Sequence, residues 1–175
     1  KNFGYYIKKN PFGNDGDFIT SPLISNLFGE MISIWCISFW KNLGRPKKIN
    51  LVELGPGDGS LCKIFINTFK YFKNFNNSYT INLLEISSKL KRMQKKMINS
   101  KNIKWIKRIS DIKSGPIIFI GNEFFDSLPI KQFYKKNGIW FEKYVKLSNK
   151  KELIFSYKKI NKKLIKKLSQ IEVLK

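Results

Sequence analysis

Gly55, Gly57 and Gly59 alternate between two apolar stretches, with Glu53 two positions before the first of them. Glycines so spaced let the backbone take positive φ and come close to a ligand. A helix opening just after them would aim its free amide groups at the crevice where open α/β sheets bind ligands. The pattern is G-x-G-x-G, not the dinucleotide fingerprint G-x-G-x-x-G. From these residues alone the loop is a ligand cradle, a nucleotide-phosphate site or a tight turn that binds nothing. Glu85 ends a second apolar stretch, where a carboxylate suits two ribose hydroxyls or simply faces water. Asp111, after a third, suits a place beside a base, or a turn or helix cap. Asn122, Glu123 and Asp126 follow a fourth. Glu123 and Asp126 could hold a guanidinium by paired charge-assisted hydrogen bonds. Asn122 and Asp126 equally suit capping. Phe124 and Phe125 read as core.

The elements that must position these groups are legible. Residues 49–54, 79–86, 103–109 and 117–120 read as strands, and 60–73 as a helix with Leu61, Ile64, Phe65, Thr68 and Phe72 inward. Ser87 caps a helix carrying Leu90, Met93 and Met97. The continuous apolar run 117–120 predicts a central parallel strand covered on both faces. This order is that of a doubly wound α/β sheet. Upstream, residues 1–20 read as loop. Ser21 and Pro22 then open a helix that Gly44 and Pro46 end. Ile24, Leu27, Phe28, Met31, Trp35 and Phe39 make one apolar face, and Ile32, Ile34, Ile37 and Trp40 a second, so the helix is expected to be buried or docked on something. Downstream, Asn137-Gly138 predicts a two-residue hairpin within 132–145. A third antiparallel strand over 151–157 and an amphipathic helix over 160–174 follow.

Composition excludes some chemistry. The chain has 175 residues and no histidine, which removes Ser-His-Asp triads, histidine acid–base catalysis and histidine-containing zinc sites; no metal is expected. Cys36 and Cys62 form no C-x-x-C pair and read as buried thiols in a reducing compartment. The net charge of +22 predicts attraction to anionic partners. The same lysines, with abundant Asn, Ile and Phe and no Ala, are what A/T-rich codons encode. The longest apolar run, 31–40, is too short to span a bilayer, which takes about 20 residues.

Gly4-Tyr5-Tyr6, Gly16-Asp17-Phe18-Ile19-Thr20-Ser21-Pro22, Glu53-Leu54-Gly55-Pro56-Gly57-Asp58-Gly59, Glu85-Ile86-Ser87 and Asn122-Glu123-Phe124-Phe125-Asp126-Ser127-Leu128-Pro129 occur in this order. Together they resemble the MidA-type (DUF185) family of S-adenosylmethionine-dependent methyltransferases of bacteria and mitochondria. The resemblance implies a class I, Rossmann-like methyltransferase fold with S-adenosyl-L-methionine as cofactor. It implies a protein substrate, with arginine methylation in support of respiratory complex I assembly. By matching position, Glu53, Gly55, Gly57, Gly59 and Glu85 would hold the cofactor, with Thr20 and Ser21 close by. From their places at the strand ends, Asp111 would lie beside the adenine, Asn122 and Glu123 would face the transferable methyl group, and Glu123 and Asp126 would orient a guanidinium. Leu23 stands where the family has Glu, and Ile64 about where it often has Asp. Family members are longer, so the chain is expected to be an N-terminal portion that binds cofactor weakly and turns over slowly or not at all. Residues 1–46 are expected to cover the site, 47–130 to form the cofactor-binding core, and 131–175 to begin a substrate region. The compartment would be cytoplasmic in a bacterium and the mitochondrial matrix in a eukaryote. An RNA methyltransferase, suggested by charge but without an RNA-binding module, and a non-catalytic docking factor gripping through residues 24–40 are the alternatives.

Overall fold

A computed structural model describes residues 25–112 and 115–172. The chain divides between Phe125 and Asp126 into two compact units. In the first, β1 (Ile49–Leu54) pairs in parallel with β2 (Tyr79–Leu84) on one side and β4 (Ile117–Ile120) on the other. β3 (Ile103–Ile106) adds to β2, giving the order β3-β2-β1-β4. Parallel neighbours need crossovers. α2 (Ser60–Phe69) and the short α3 (Lys73–Asn76) supply one, and α4 (Ser88–Met97) another. Because β1, β2, β3 and β4 all run the same way, every segment leaving a carboxyl end emerges at one edge of the sheet. That edge carries the glycine loop, Glu85, Asp111 and Asn122.

α1 (Asn26–Asn42) packs on α2. The approach is close at Gly29, where an added Cβ would lie 2.8 Å from Ile64 Cγ2. Below them Trp40, Phe65, Phe69, Phe75 and Tyr79 form an aromatic cluster; the Phe69 ring centroid is 4.7 Å from that of Phe75 and 4.9 Å from that of Tyr79. Trp40 donates its indole N–H to Pro46 O, which fixes the chain where α1 ends. No helix among the described residues is long and apolar enough to cross a membrane.

The second unit is an antiparallel sheet of β5 (Gln132–Lys136), β6 (Ile139–Leu147) and β7 (Leu153–Lys159), followed by α5 (Lys162–Glu172). Asn137 and Gly138 have φ of 49° and 75°, the positive pair that a tight hairpin turn of matching twist requires.

Several expectations need correction. α1 is capped by Ser25, which accepts from the Leu27 N–H; the expected cap, Ser21, lies outside the described residues. Of the two readings for this helix, full burial does not hold: Gly29, Ser33, Cys36, Ile37 and Trp40 face inward, while Leu27, Met31, Ile34, Trp35 and Phe39 are exposed. The inward stripe contains glycine and serine because close helix packing favours small residues over bulky ones. β4 is an edge strand of the described sheet, and its burial alternates, with Ile117 and Phe119 exposed. Phe69, passed over in the helical pattern, is fully buried, whereas Thr68 is only half-buried. β2 and β3 end earlier than the apolar runs suggested.

Candidate functional site

β1 delivers the glycine loop, and its burial makes Glu53 unusual. Glu53 is 3% exposed, and its Oε2 has no hydrogen-bond partner among the described residues. A buried carboxylate without partners holds its proton. Burial, reinforced by the charge of Asp58, pushes the Glu53 carboxyl from 4.5 up to about 8. A cation placed beside it would favour the ionised form.

The loop itself is left-handed at every glycine, with φ of 61° at Gly55, 56° at Gly57 and 94° at Gly59. The structure separates the reasons. A Cβ at Gly55 would sit 2.6 Å from Phe124 Cδ2, and one at Gly59 would sit 3.0 Å from Ile98 Cδ1 and 3.3 Å from Gln94 Cγ. Both glycines thus make room for the chain's own side chains, which spacing alone could not distinguish from room for a ligand. Asp58 starts α2, taking the Ser60 N–H at 2.9 Å and the Ser60 hydroxyl at 2.7 Å.

Glu85 lies just past β2 and is 6% exposed. Its Oε1 accepts the Ser87 N–H at 2.7 Å. Burial raises its carboxyl above the usual range, opposed by the Ser87 N–H and by Gln94. A carboxylate has about four lone-pair sites, so acceptor capacity remains for ribose hydroxyls. The solvated strand end is not what the structure holds.

Asp111 is exposed and accepts the Lys107 and Arg108 N–H groups through Oδ2, with an ion pair to Arg108 at 3.8 Å. It builds the turn after β3, the alternative its sequence context left open. Asn122 is half-buried and Glu123 exposed. Glu123 has φ of 48°, a left-handed conformation uncommon outside glycine and often found at functional sites. Phe124 packs against the Val52, Leu54 and Ile106 cluster as core. Phe125 does not: it is 68% exposed, against expectation. Asp126 opens the second unit and is exposed. Thr20 and Ser21, like Leu23, lie outside the described residues.

One residue of the site escaped the sequence reading. Gln94 on α4 is fully buried; its Nε2 donates to Gly57 O at 2.8 Å and its Oε1 accepts the Trp105 indole N–H at 2.9 Å. The signal was there: Leu90, Gln94 and Ile98 stand four apart, a glutamine inside an apolar stripe.

A parallel sheet with a glycine turn after its first strand and acidic groups at the same carboxyl edge defines a doubly wound, ligand-binding α/β protein. Residues 31–173 match the family described as "Putative S-adenosyl-L-methionine-dependent methyltransferase". The chain belongs to that family. It is 35% identical over 171 residues to the mitochondrial protein arginine methyltransferase NDUFAF7 of Xenopus laevis, covering 84% of this chain and 39% of that protein. The human protein of that name is 32% identical over 166 residues, covering 81% and 38%. The Caenorhabditis elegans homolog is 38% identical over 174 residues, covering 87% and 40%. The chain spans about two fifths of the length of these curated relatives. A crystal structure from Burkholderia thailandensis with S-adenosyl-homocysteine bound superposes with a TM-score of 0.63 at 19% identity, covering 88% of this chain and 40% of that one. A second from the same organism gives a TM-score of 0.64 at 18% identity, covering 91% and 44%. They share the fold expected from the sequence.

Proposed function

We propose that this chain binds S-adenosyl-L-methionine over its glycine loop and serves methyl transfer to an arginine of a protein substrate, in support of respiratory complex I assembly. One observation carries the reading: the buried Glu53 carboxylate, with an unpartnered oxygen, lies beside a turn of three left-handed glycines. That donor set fits the cationic amino group of an amino-acid moiety. When bound, the cofactor supplies an electrophilic methyl on a sulfonium. The chain's own part is positioning, which counts for much in an in-line displacement. Glu53 neutralises the ammonium, Glu85 takes the ribose hydroxyls, and the backbone of Gly55, Gly57 and Gly59 lets the ligand approach. Glu123, with Asn122 and Asp126, orients the guanidinium and receives the proton it loses. Residues 47–130 act as the cofactor-binding core and 131–175 as the start of the substrate region. The compartment follows the cell, cytoplasm in a bacterium and the mitochondrial matrix in a eukaryote; the curated relatives are named mitochondrial.

The test is titration of the full chain with S-adenosyl-homocysteine by isothermal calorimetry. Saturable binding is expected. No heat and no rise in the unfolding midpoint at millimolar ligand would sink the reading. For the acceptor, methylation of an arginine-containing subunit should fall when Glu123 is replaced by Gln. An unchanged rate removes Glu123 from catalysis.

A further inference from the structure

Gln94 joins three elements that sequence separates widely. Its side-chain partners are 37 residues away at Gly57, 11 away at Trp105 and 9 away at Glu85, whose Oε2 lies 3.5 Å from Nε2. The orientation of the amide follows from chemistry. An indole N–H can only donate, so the oxygen of Gln94 must face Trp105. The NH2 group is thereby turned toward Gly57 O and Glu85, both acceptors. With the residue fully buried, no water competes for these bonds.

We propose that Gln94, oriented by Trp105, is a positioning residue that sets the glycine loop and Glu85 in their cofactor-binding arrangement. The proposal rests on the functional reading above and adds to it. Gly57 is the middle glycine of the loop, and its carbonyl direction fixes the peptide that would face the ligand's amino acid. Glu85 is the group assigned to the sugar. One amide thus ties both halves of the ligand site to the same helix and to β3. The missing Cβ of Gly59 makes the arrangement sterically open, since Gln94 Cγ and Cβ would lie 3.3 Å and 3.6 Å from it. Other charges acting on the partners of the amide are Lys91 on α4, which lowers the Glu85 carboxyl, and Lys95, whose ammonium stands 5.4 Å from the Trp105 ring.

The experiment measures S-adenosyl-homocysteine affinity of the full chain and of Q94E, Q94L and W105F at about pH 8 and about pH 5.5, with each variant's unfolding midpoint. The carboxyl introduced by Q94E, buried against Glu85, loses its proton only toward the higher pH and carries it at the lower. W105F keeps a ring in place but frees the amide to turn, and affinity should fall about tenfold, as for a lost hydrogen bond to a charged group. Q94E sets a carboxylate against Glu85 and the Gly57 carbonyl, so at the higher pH it should bind at least about tenfold more weakly than wild type. Protonated, it is an amide mimic with one donor, and most of that deficit should vanish at the lower pH. Q94L should be weak at both. A purely structural role would give Q94E and Q94L the same pH-independent deficit, and that result overturns the proposal. So would wild-type affinity in W105F, or loss of cooperative unfolding in both W105F and Q94E. A wild-type chain that binds no ligand would remove the functional reading as well; a binding wild type with unaffected variants removes only the role of Gln94.

Discussion

Replacing Glu53 by Gln should make the ligand-free protein more stable and the ligand complex weaker. The fold raises the Glu53 carboxyl from 4.5 to about 8, chiefly by burial and then by the charge of Asp58. For an acid the sign is definite. The folded state binds the proton more tightly than the unfolded chain, so the wild type loses stability, relative to a neutral isostere, as pH rises. The loss begins at about pH 4.5, is complete near pH 8 and is constant above it. At about 1.4 kcal/mol per pH unit the ceiling is about 5 kcal/mol. Relaxation and water entry around an ionised buried group reduce it, and about 1–3 kcal/mol is the expected gain at pH 8. Urea unfolding followed by tryptophan fluorescence, at about pH 4.5 and about pH 8, reads the difference directly. Binding carries the opposite sign. The ligand ammonium stabilises the ionised carboxylate, so complex formation near neutral pH should release close to one proton. That release appears as a dependence of binding enthalpy on buffer ionisation, and E53Q should lack it. If E53Q is less stable than wild type at pH 8, or binds with the same proton release, Glu53 is not the uncompensated acid its surroundings imply.

Other expected outcomes follow from the packing and the turns. Phe69→Ala removes the ring at the centre of the aromatic cluster and should cost about 3–5 kcal/mol in urea unfolding. Gly55→Ala forces a Cβ against the Phe124 ring at a positive φ; it should cost about 1–3 kcal/mol and abolish S-adenosyl-homocysteine binding, with Phe124→Leu restoring part of the stability in the double variant. Burial pushes the Cys36 thiol up to about 12 and Cys62 well above its ordinary value, so neither should react with iodoacetamide at neutral pH until the protein unfolds. Gly138→Val puts a branched side chain at φ of 75° in the hairpin turn and should lower the thermal midpoint of the second unit.

What the sequence revealed follows from how local each signal is. The strand 49–54 and the start of α2 at Ser60 were legible to the residue, because an apolar run, three glycines and a helix pattern agree across a dozen positions. The Asn137-Gly138 hairpin was legible for the same reason, its turn demanding two positive φ values. Which way α1 faces was not. With apolar residues on both sides, the choice fell to Gly29, whose missing side chain admits Ile64 from another helix. Nor could the run 117–120 show that β4 has a neighbour on one side only, since pairing is decided by segments far away in the chain. Glu53 and Glu85 were singled out as candidates from position within their own elements. Gln94 was missed because each of its partners comes from a different element. Asp111 and Gly59 show the converse: a local pattern pointed to a ligand, but Asp111 serves its own turn and Gly59 makes room for Gln94 and Ile98.

The distribution of buried polar groups bears on why the loop is built this way. Among the described residues of the first unit, Ser33, Glu53, Asn82, Glu85 and Gln94 are buried. Ser33 bonds the Gly29 carbonyl one turn back, and Asn82 bridges to Asn50 on the neighbouring strand, so both serve the fold itself. Glu53, Glu85 and Gln94 instead converge on the carboxyl edge of β1 and β2. Apolar residues of similar size there would stabilise the ligand-free sheet. A buried carboxyl at Glu53 whose Oε2 has no hydrogen-bond partner among the described residues is the opposite of what stability alone favours, and left-handed backbone at Gly55, Gly57 and Gly59 runs the same way. Stability sacrificed at one edge, while Phe65, Phe69 and Phe75 pack fully a few residues away, is what a binding site requires and a structural turn does not. The same logic sets the order of effects among variants. Substitutions in the aromatic cluster should move stability and ligand affinity down together, whereas Glu53→Gln should drive them apart.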